Sequence, residues 1–306
     1  MNVTLPVCVL SIVYLNLITF TISNSISVYD AACEKSSISR YIPEGHMNSY
    51  AINEEFSELK EFALGIPTQF DRIGEIVHDH RNVIKKVTTP QGTFVIKNFA
   101  GMYFFNRLAY SIFRQSKAER SYLYALLLQE KGILTPPPIA WIDCYRWGLL
   151  TQSYFISLYY PSKTLSEILK HLDPNDYDAK KTLYSQVASF ALRLHRLDIY
   201  HDDFSLGNIL LRENSDGTSF ALVDLNRILF RKVSYSYGLQ NFAKLGFPKE
   251  DLNMVIREYA KLSGQPVEES IEAFWATRKR ADVLRSIRKS IRRYTLTPLE
   301  KIVGGK

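Results

Sequence analysis

The chain has 306 residues, 46% of them hydrophobic and 23% charged, with no internal repeat or low-complexity block, so it is a globular chain long enough for one large two-lobed domain or two small ones. Its formal net charge of +7 suits an anionic partner such as a nucleotide, phospholipid, glycolipid or nucleic acid without choosing among them. Its three cysteines, Cys8, Cys33 and Cys144, are scattered, which excludes a disulfide framework or a cysteine metal centre and suits a reducing compartment.

Leu5 to Ile22 is an uncharged, mostly apolar run. At roughly eighteen residues it stands at the short limit for a spanning helix. Met1 to Thr4 lack the basic start of a secretory signal, and Lys35 and Arg40 follow the run, so a span here would leave the remainder in the cytoplasm. Residues 1–46 are therefore read either as a membrane anchor or as a stretch ahead of a true start at Met47, with a cleaved signal fitting least. Met47 opens a polar, helix-like stretch, Asn48 to Glu55. Gly74 to His78 reads as a first strand. Asn82–Val87 and Thr93–Phe99 alternate around a Pro90-Gln91-Gly92 turn and read as a hairpin, with Lys97 in its second arm. Ser116 to Lys131 is a helix by its Tyr122, Leu123, Leu126, Leu127 spacing, stopped at Gly132. Thr135-Pro136-Pro137-Pro138 is an extended connector. Leu149–Thr151 and Tyr154–Leu158 read as two more strands.

From Thr164 the pattern turns helical: a short helix around Leu165–Leu172, a longer one over Asp178–Leu197, and later helices over Glu250–Leu262 and Glu268–Arg293. Strands Ile209–Leu211 and Phe220–Val223 flank a turn at Asn214–Gly217. The order predicts an α+β, bilobal protein-kinase-like fold, with a small antiparallel β lobe over 47–158 and a larger mainly helical lobe over 159–306.

The chemistry sits in two late segments, His201-Asp202-Asp203-Phe204-Ser205-Leu206-Gly207-Asn208 and Leu222-Val223-Asp224-Leu225-Asn226-Arg227. Asp203 and Asn208 stand five apart, the spacing of a kinase catalytic loop, and Asp224 follows an apolar strand. Asp203 is assigned to accept or orient the substrate hydroxyl proton. Asn208 and Asp224 offer hard oxygens to Mg²⁺. Lys97 is assigned to the α and β phosphates of ATP, with Glu119, about two dozen residues on, as its ion-pair partner. Alone, a lysine on a strand is a surface residue and a glutamate on a helix a solvated charge; the order and separations of all five make the reading specific. His201 and His195 are read as packing and hydrogen-bonding residues. One departure stands out: no Gly-x-Gly-x-x-Gly precedes Lys97. The turn His78–Asn82 has no glycine, so Arg81 or Lys85 is expected to supply the phosphate-binding charge.

Together with Lys97-Asn98-Phe99, Asn106–Tyr110, Ser116–Tyr122 and Gly132–Pro138, these segments resemble the lipopolysaccharide inner-core kinases, the Kdo/WaaP family, over about Phe70 to Phe230. Asp224-Leu225-Asn226 replaces Asp-Phe-Gly and no Ala-Pro-Glu follows, which disfavours a regulated protein kinase; Asp202 stands where such enzymes often carry glycine. The resemblance implies ATP-dependent phosphorylation of a sugar hydroxyl, on Kdo of Kdo-lipid A or a related core glycolipid, at the cytoplasmic face of the bacterial inner membrane. Arg107, Arg114 and Lys117 among aromatics, and the run from Arg278 to Arg293 beside the stripe Val283, Leu284, Ile287, Ile291, suit an anionic membrane surface. The same stripe could instead pack on the helical lobe. No nucleic-acid motif is present. The alternatives are an aminoglycoside-type small-molecule phosphotransferase and an inert pseudokinase acting as a membrane-surface module.

Overall fold

The computed structural model describes residues 39–41, 47–99, 115–214 and 217–303. The Leu5–Ile22 run, Cys8, Cys33, the Asn106–Tyr110 match and the aromatic-basic stretch carrying Arg107 and Arg114 lie outside them, as do the side chains of Arg285, Arg288, Lys289, Ile291, Arg292 and Arg293.

Seven strands form one antiparallel sheet: β1 (Ser39–Tyr41), β2 (Met47–Ile52), β3 (Glu75–Asp79), β4 (Val83–Thr89), β5 (Gly92–Asn98), β6 (Pro138–Arg146) and β7 (Leu149–Leu158), in the order β1-β2-β6-β7-β5-β4-β3. Helix α1 (Lys60–Gln69) covers one face, where Ala63 and Ile66 meet Phe94, Ile96, Ile142 and Ile156. Helix α2 (Lys117–Glu130) covers the other, where Ala118, Tyr122 and Leu123 meet Trp141 and Phe155. Two apolar faces explain why β6 is buried almost along its length and shows no alternation from which the sequence could predict it. The stretch after Met47 is a strand rather than the predicted helix. It pairs with β6 from Met47↔Tyr145 to Ile52↔Ala140, and that long-range ladder outweighs its weak local preference. The two strands expected after Leu149 are one.

The chain continues through β8 (Lys163–Thr164), α3 (Leu165–His171), α4 (Tyr177–Arg196), β9 (Ile199–His201), β10 (Ile209–Asn214), β11 (Gly217–Leu222), β12 (Ile228–Phe230), α5 (Tyr235–Leu239), α6 (Lys249–Leu262) and α7 (Val267–Val303). Among the described residues, those up to Leu165 together with Gly207–Arg231 form one compact unit, and Ser166–Leu206 with the residues from Lys232 form a second. The first unit thus takes a hairpin, β10–β11, from the half of the chain predicted to be one helical lobe. It is attached through hydrogen bonds: β10 pairs antiparallel with Lys163–Thr164, Leu222 N–H donates to Leu134 C=O at 3.0 Å and Thr135 Oγ1 donates to Leu222 C=O at 2.8 Å. In the second unit α4 and α6 pack together through Leu183, Val187 and Leu194 on one helix and Leu252, Val255 and Tyr259 on the other.

Lys85 does not supply the phosphate-binding charge expected of it. It is 6% exposed, and its ammonium donates to the carbonyls of Phe70 (2.6 Å), Asp71 (3.2 Å) and Ile73 (3.2 Å), closing the C-terminal end of α1. Gly74, just beyond, has φ 68°, and a Cβ there would come within 2.5 Å of the Lys86 carbonyl oxygen. Lys85→Met should therefore lower unfolding free energy by about 2 kcal/mol, since a charged donor to buried carbonyls is lost. Nucleotide affinity should not change, as checked by urea denaturation and calorimetric titration of the same sample.

Candidate functional site

Lys97 is placed by strand register. Along β5, Phe94, Ile96 and Asn98 face α1, so Lys97 faces the α2 side. There it lies in a row of directly paired residues across the sheet, Ala51, Trp141, Phe155, Lys97 and Ile84. The first three are packed under α2, and Lys97 leans over the Phe99 ring with its ammonium 5.0 Å from the centroid.

Its anionic partner is Asp224: Lys97 Nζ and Asp224 Oδ1 form an ion pair. The sequence pointed to Glu119 for this role, and the structure gives the ammonium to Asp224 instead. Asp224 has φ 58° and ψ 48°, a left-handed conformation that is uncommon for a residue with a side chain and marks a site held in place by its surroundings. Asn226 Nδ2 also donates to Asp224 Oδ1, at 2.8 Å. The short 3-10 helix that follows, Leu225–Arg227, packs on α2, and Tyr124 meets the Phe230 ring at 5.1 Å. Asn208 is set by the hairpin. β10 and β11 pair with Ile209 opposite Leu222, and Val223 N–H donates to the Asn208 carbonyl at 3.0 Å. Asn208 therefore lies one register step from Asp224. A carboxylate and an amide oxygen so placed fit a hard cation such as Mg²⁺, which takes few protein ligands when phosphates supply the rest. Arg81 lies exposed in the turn between β3 and β4.

Glu119 is half-buried in the first turn of α2, where its N–H donates to the cap Ser116 Oγ at 2.9 Å. Burial pushes its carboxyl up to about 7, against smaller downward pulls from a hydrogen bond of the carboxylate to the Ser116 backbone and from Arg120. Asp143 of β6, which sequence reasoning missed, is 1% exposed and accepts from Ser153 Oγ at 2.6 Å. Burial also pushes Asp143 up to about 7, with the hydroxyls of Ser153, Ser116 and Tyr145 pulling down and Glu119 pushing up. Ser116 thus ties the start of α2 to the sheet through a carboxyl. Beside Asp143, burial pushes the free Cys144 thiol up to about 12, so it is inert as a nucleophile.

Asp203 belongs to the second unit, four residues before the chain crosses at Gly207. Its N–H donates to His201 Nδ1 at 3.1 Å and its carbonyl accepts from Ser205 N–H at 2.7 Å, so His201 is protonated on the other nitrogen. His201 is fully buried, and its carbonyl accepts from Asn241 Nδ2 at 2.8 Å. Asn241 Oδ1 accepts from His195 Nε2 at 2.9 Å, and Tyr259 donates its hydroxyl to His195 Nδ1 at 2.8 Å. Burial holds His195 below the usual imidazole range, which suits this neutral form. Both histidines have the structural parts the sequence suggested. Asn241 and Tyr259 were not visible beforehand, because nothing in the spacing links them to the loop. Gly238 is required here, since a Cβ would come within 2.6 Å of the Tyr259 hydroxyl.

A small sheet bearing a lysine, an aspartate past the end of a strand and an Asp-x4-Asn loop define a protein-kinase-like protein. The model of the lipopolysaccharide kinase (Kdo/WaaP) family matches residues 97–264, more than half of the chain, and the chain belongs to that family. The solved structure described as WaaP in complex with acyl carrier protein is similar over 76% of this chain and 97% of that one, with 17% sequence identity and a TM-score of 0.53, a likeness of fold. No curated protein matches the chain.

Two outcomes follow from the buried polar groups. Asp143 and Glu119 both have carboxyls raised in the folded state, so at mildly acidic pH the folded chain holds protons that the unfolded chain has released. Their contribution to stability is full below about pH 4 and is lost as pH rises through about 7. Denaturation midpoints measured across that window should fall, and Asp143→Asn should flatten the fall. Asn241→Leu strips partners from the His195 ring N–H and the His201 carbonyl at once; it should destabilise the protein by about 3 kcal/mol in a urea titration.

Proposed function

We propose that the chain is an ATP-dependent kinase that phosphorylates a sugar hydroxyl of the lipopolysaccharide inner core, with Kdo of Kdo-lipid A as the acceptor. The observation that carries the reading is the Lys97–Asp224 ion pair with Asn208 held one register step away. The pair sets a cation for phosphate beside one hard oxygen donor, and the neighbouring Asn208 supports the reading as a second donor of the same kind. Family membership supports phosphoryl transfer and lipopolysaccharide core chemistry.

In this mechanism a magnesium ion held by Asp224 and Asn208 would neutralise the nucleotide phosphates. Lys97 passes from a carboxylate oxygen to phosphate oxygens, an exchange of one anionic partner for another. Asp203 accepts the hydrogen bond of the sugar hydroxyl and aims its oxygen at the γ-phosphorus; the loose transition state asks for this alignment more than for strong basicity. The left-handed Asp224 and the His201-anchored loop are the rigid supports such alignment needs.

The acceptor is an amphiphile, so a surface for an anionic bilayer is part of the proposal. Helix α7 supports it: Val283, Leu284 and Ile287 are 50%, 56% and 49% exposed, beside exposed Lys279 and Arg280. The apolar stripe is therefore not packed away among the described residues, as its blander reading required. Among the described residues no helix is long and apolar enough to cross a membrane.

Incubation with ATP, Mg²⁺ and Kdo-bearing lipid A, followed by mass analysis of the glycolipid, should show one added phosphate. Asp203→Asn should cut that transfer by about 10²–10⁴-fold while leaving nucleotide affinity intact. Transfer to soluble aminoglycosides alone, or no transfer and no nucleotide binding, would replace the reading by the small-molecule or the inert alternative.

A further inference from the structure

The first turn of α2 carries two cations, Lys117 directly after the cap Ser116 and Arg120 three residues later. This is the end of a helix at which the backbone dipole is positive and cations are disfavoured. Lys117 is also crowded by its own kind. Its ammonium lies 6.0 Å from the centroid of Phe99, the ring over which the Lys97 ammonium stands at 5.0 Å. The 3-10 helix that begins after Asp224 and carries Arg227 packs on α2. Burial, then repulsion from Arg81, Arg120, Lys97 and Arg227, holds the Lys117 ammonium below the usual lysine range. Cations from three other elements and one from its own helix act on one half-buried ammonium, in a helix turn that favours carboxylates. Such violations of local preference gather where a ligand of opposite charge repays them.

We propose that Lys117 and Arg227, together with Arg81, form a side-chain clamp for the polyphosphate of the nucleotide. They do with side-chain cations what the backbone amides of a glycine-rich turn do elsewhere. The proposal rests on the reading of the protein as a nucleotide-binding kinase and explains how that reading survives a β3–β4 turn without glycine. The ligand class is a linear di- or triphosphate. The adenosine end is not recognised by these residues, whereas a phosphorylated glycolipid headgroup presents isolated monophosphates and would fit the cluster less well.

Calorimetric titration of the full chain with Mg-ATP, inorganic tripolyphosphate and a soluble bis-phosphorylated glucosamine disaccharide tests the idea. Lys117→Met and Arg227→Met should each weaken Mg-ATP and tripolyphosphate by about tenfold, and Lys117→Arg, which keeps the charge, should restore most of the loss. In the wild type the dependence of tripolyphosphate affinity on salt should be steep and should become shallower with each cation removed. Both methionine variants binding Mg-ATP as tightly as wild type would overturn the clamp while leaving the kinase reading standing. Tighter binding of the disaccharide than of tripolyphosphate would reassign the cluster to the acceptor and overturn it as well. Wild-type chain that binds neither Mg-ATP nor tripolyphosphate would remove the kinase reading and the clamp together.

Discussion

A lysine half-buried on an interior strand of a sheet must find acceptors for its ammonium, and Lys97 finds an anion 127 residues further along the chain. The Lys97–Asp224 pair is the constraint around which the first unit is organised. It needs β5 between two partners so that register fixes the lysine on the α2 side. It needs the β10–β11 hairpin fastened to the Leu134–Thr135 connector, so that Asp224 emerges at the right place. It also needs Asp224 in a left-handed backbone conformation, which the 3-10 helix packed on α2 maintains. Breaking one partner would leave a half-buried charge uncompensated, so the pair specifies an arrangement even where its net contribution to stability is small.

The buried polar groups elsewhere follow a related rule with a different outcome. Asp143 is buried with hydroxyls around it, and burial raises its carboxyl to about 7, so it becomes a hydrogen-bonding node between β6 and the cap of α2. In the second unit Tyr259, His195, Asn241 and His201 form a chain of hydrogen bonds ending at the Asp203 backbone. His195 and Asn241 each use both of their polar ends, which is what allows a neutral imidazole and an amide to be buried at little cost. The two devices have a common effect: they hold in place short segments, the start of α2 and the loop before Asn208, that carry the residues of interest.

Much of the candidate site was legible because kinase-like chemistry is written in local spacing. Asp203 and Asn208 share one loop, Asp224 ends one strand, and Lys97 sits in a hairpin whose alternation is plain. What failed was pairing. Separation alone pairs Glu119 with Lys97, yet burial raises the Glu119 carboxyl to about 7 and the ammonium turns to Asp224 instead. Proximity to the turn suggests Lys85 for phosphates, but its side chain lies among the carbonyls that end α1. Strand β6 and the strand after Met47 were missed for the same reason: their conformation is imposed by partners far away in sequence.

Amino-acid order alone thus determined the class of fold, the catalytic-type loop, the strand-borne lysine and aspartate, and the lack of a glycine turn over the phosphates. These are properties of residue type and short spacing, which no tertiary contact alters. Only the folded chain decided which cation meets which anion, which carboxyls hold their protons, and which polar groups anchor the loop. Those outcomes depend on desolvation and on distances between residues that are in the main tens of positions apart or, for Lys97 and Asp224, 127 apart, and neither quantity exists until the core has closed.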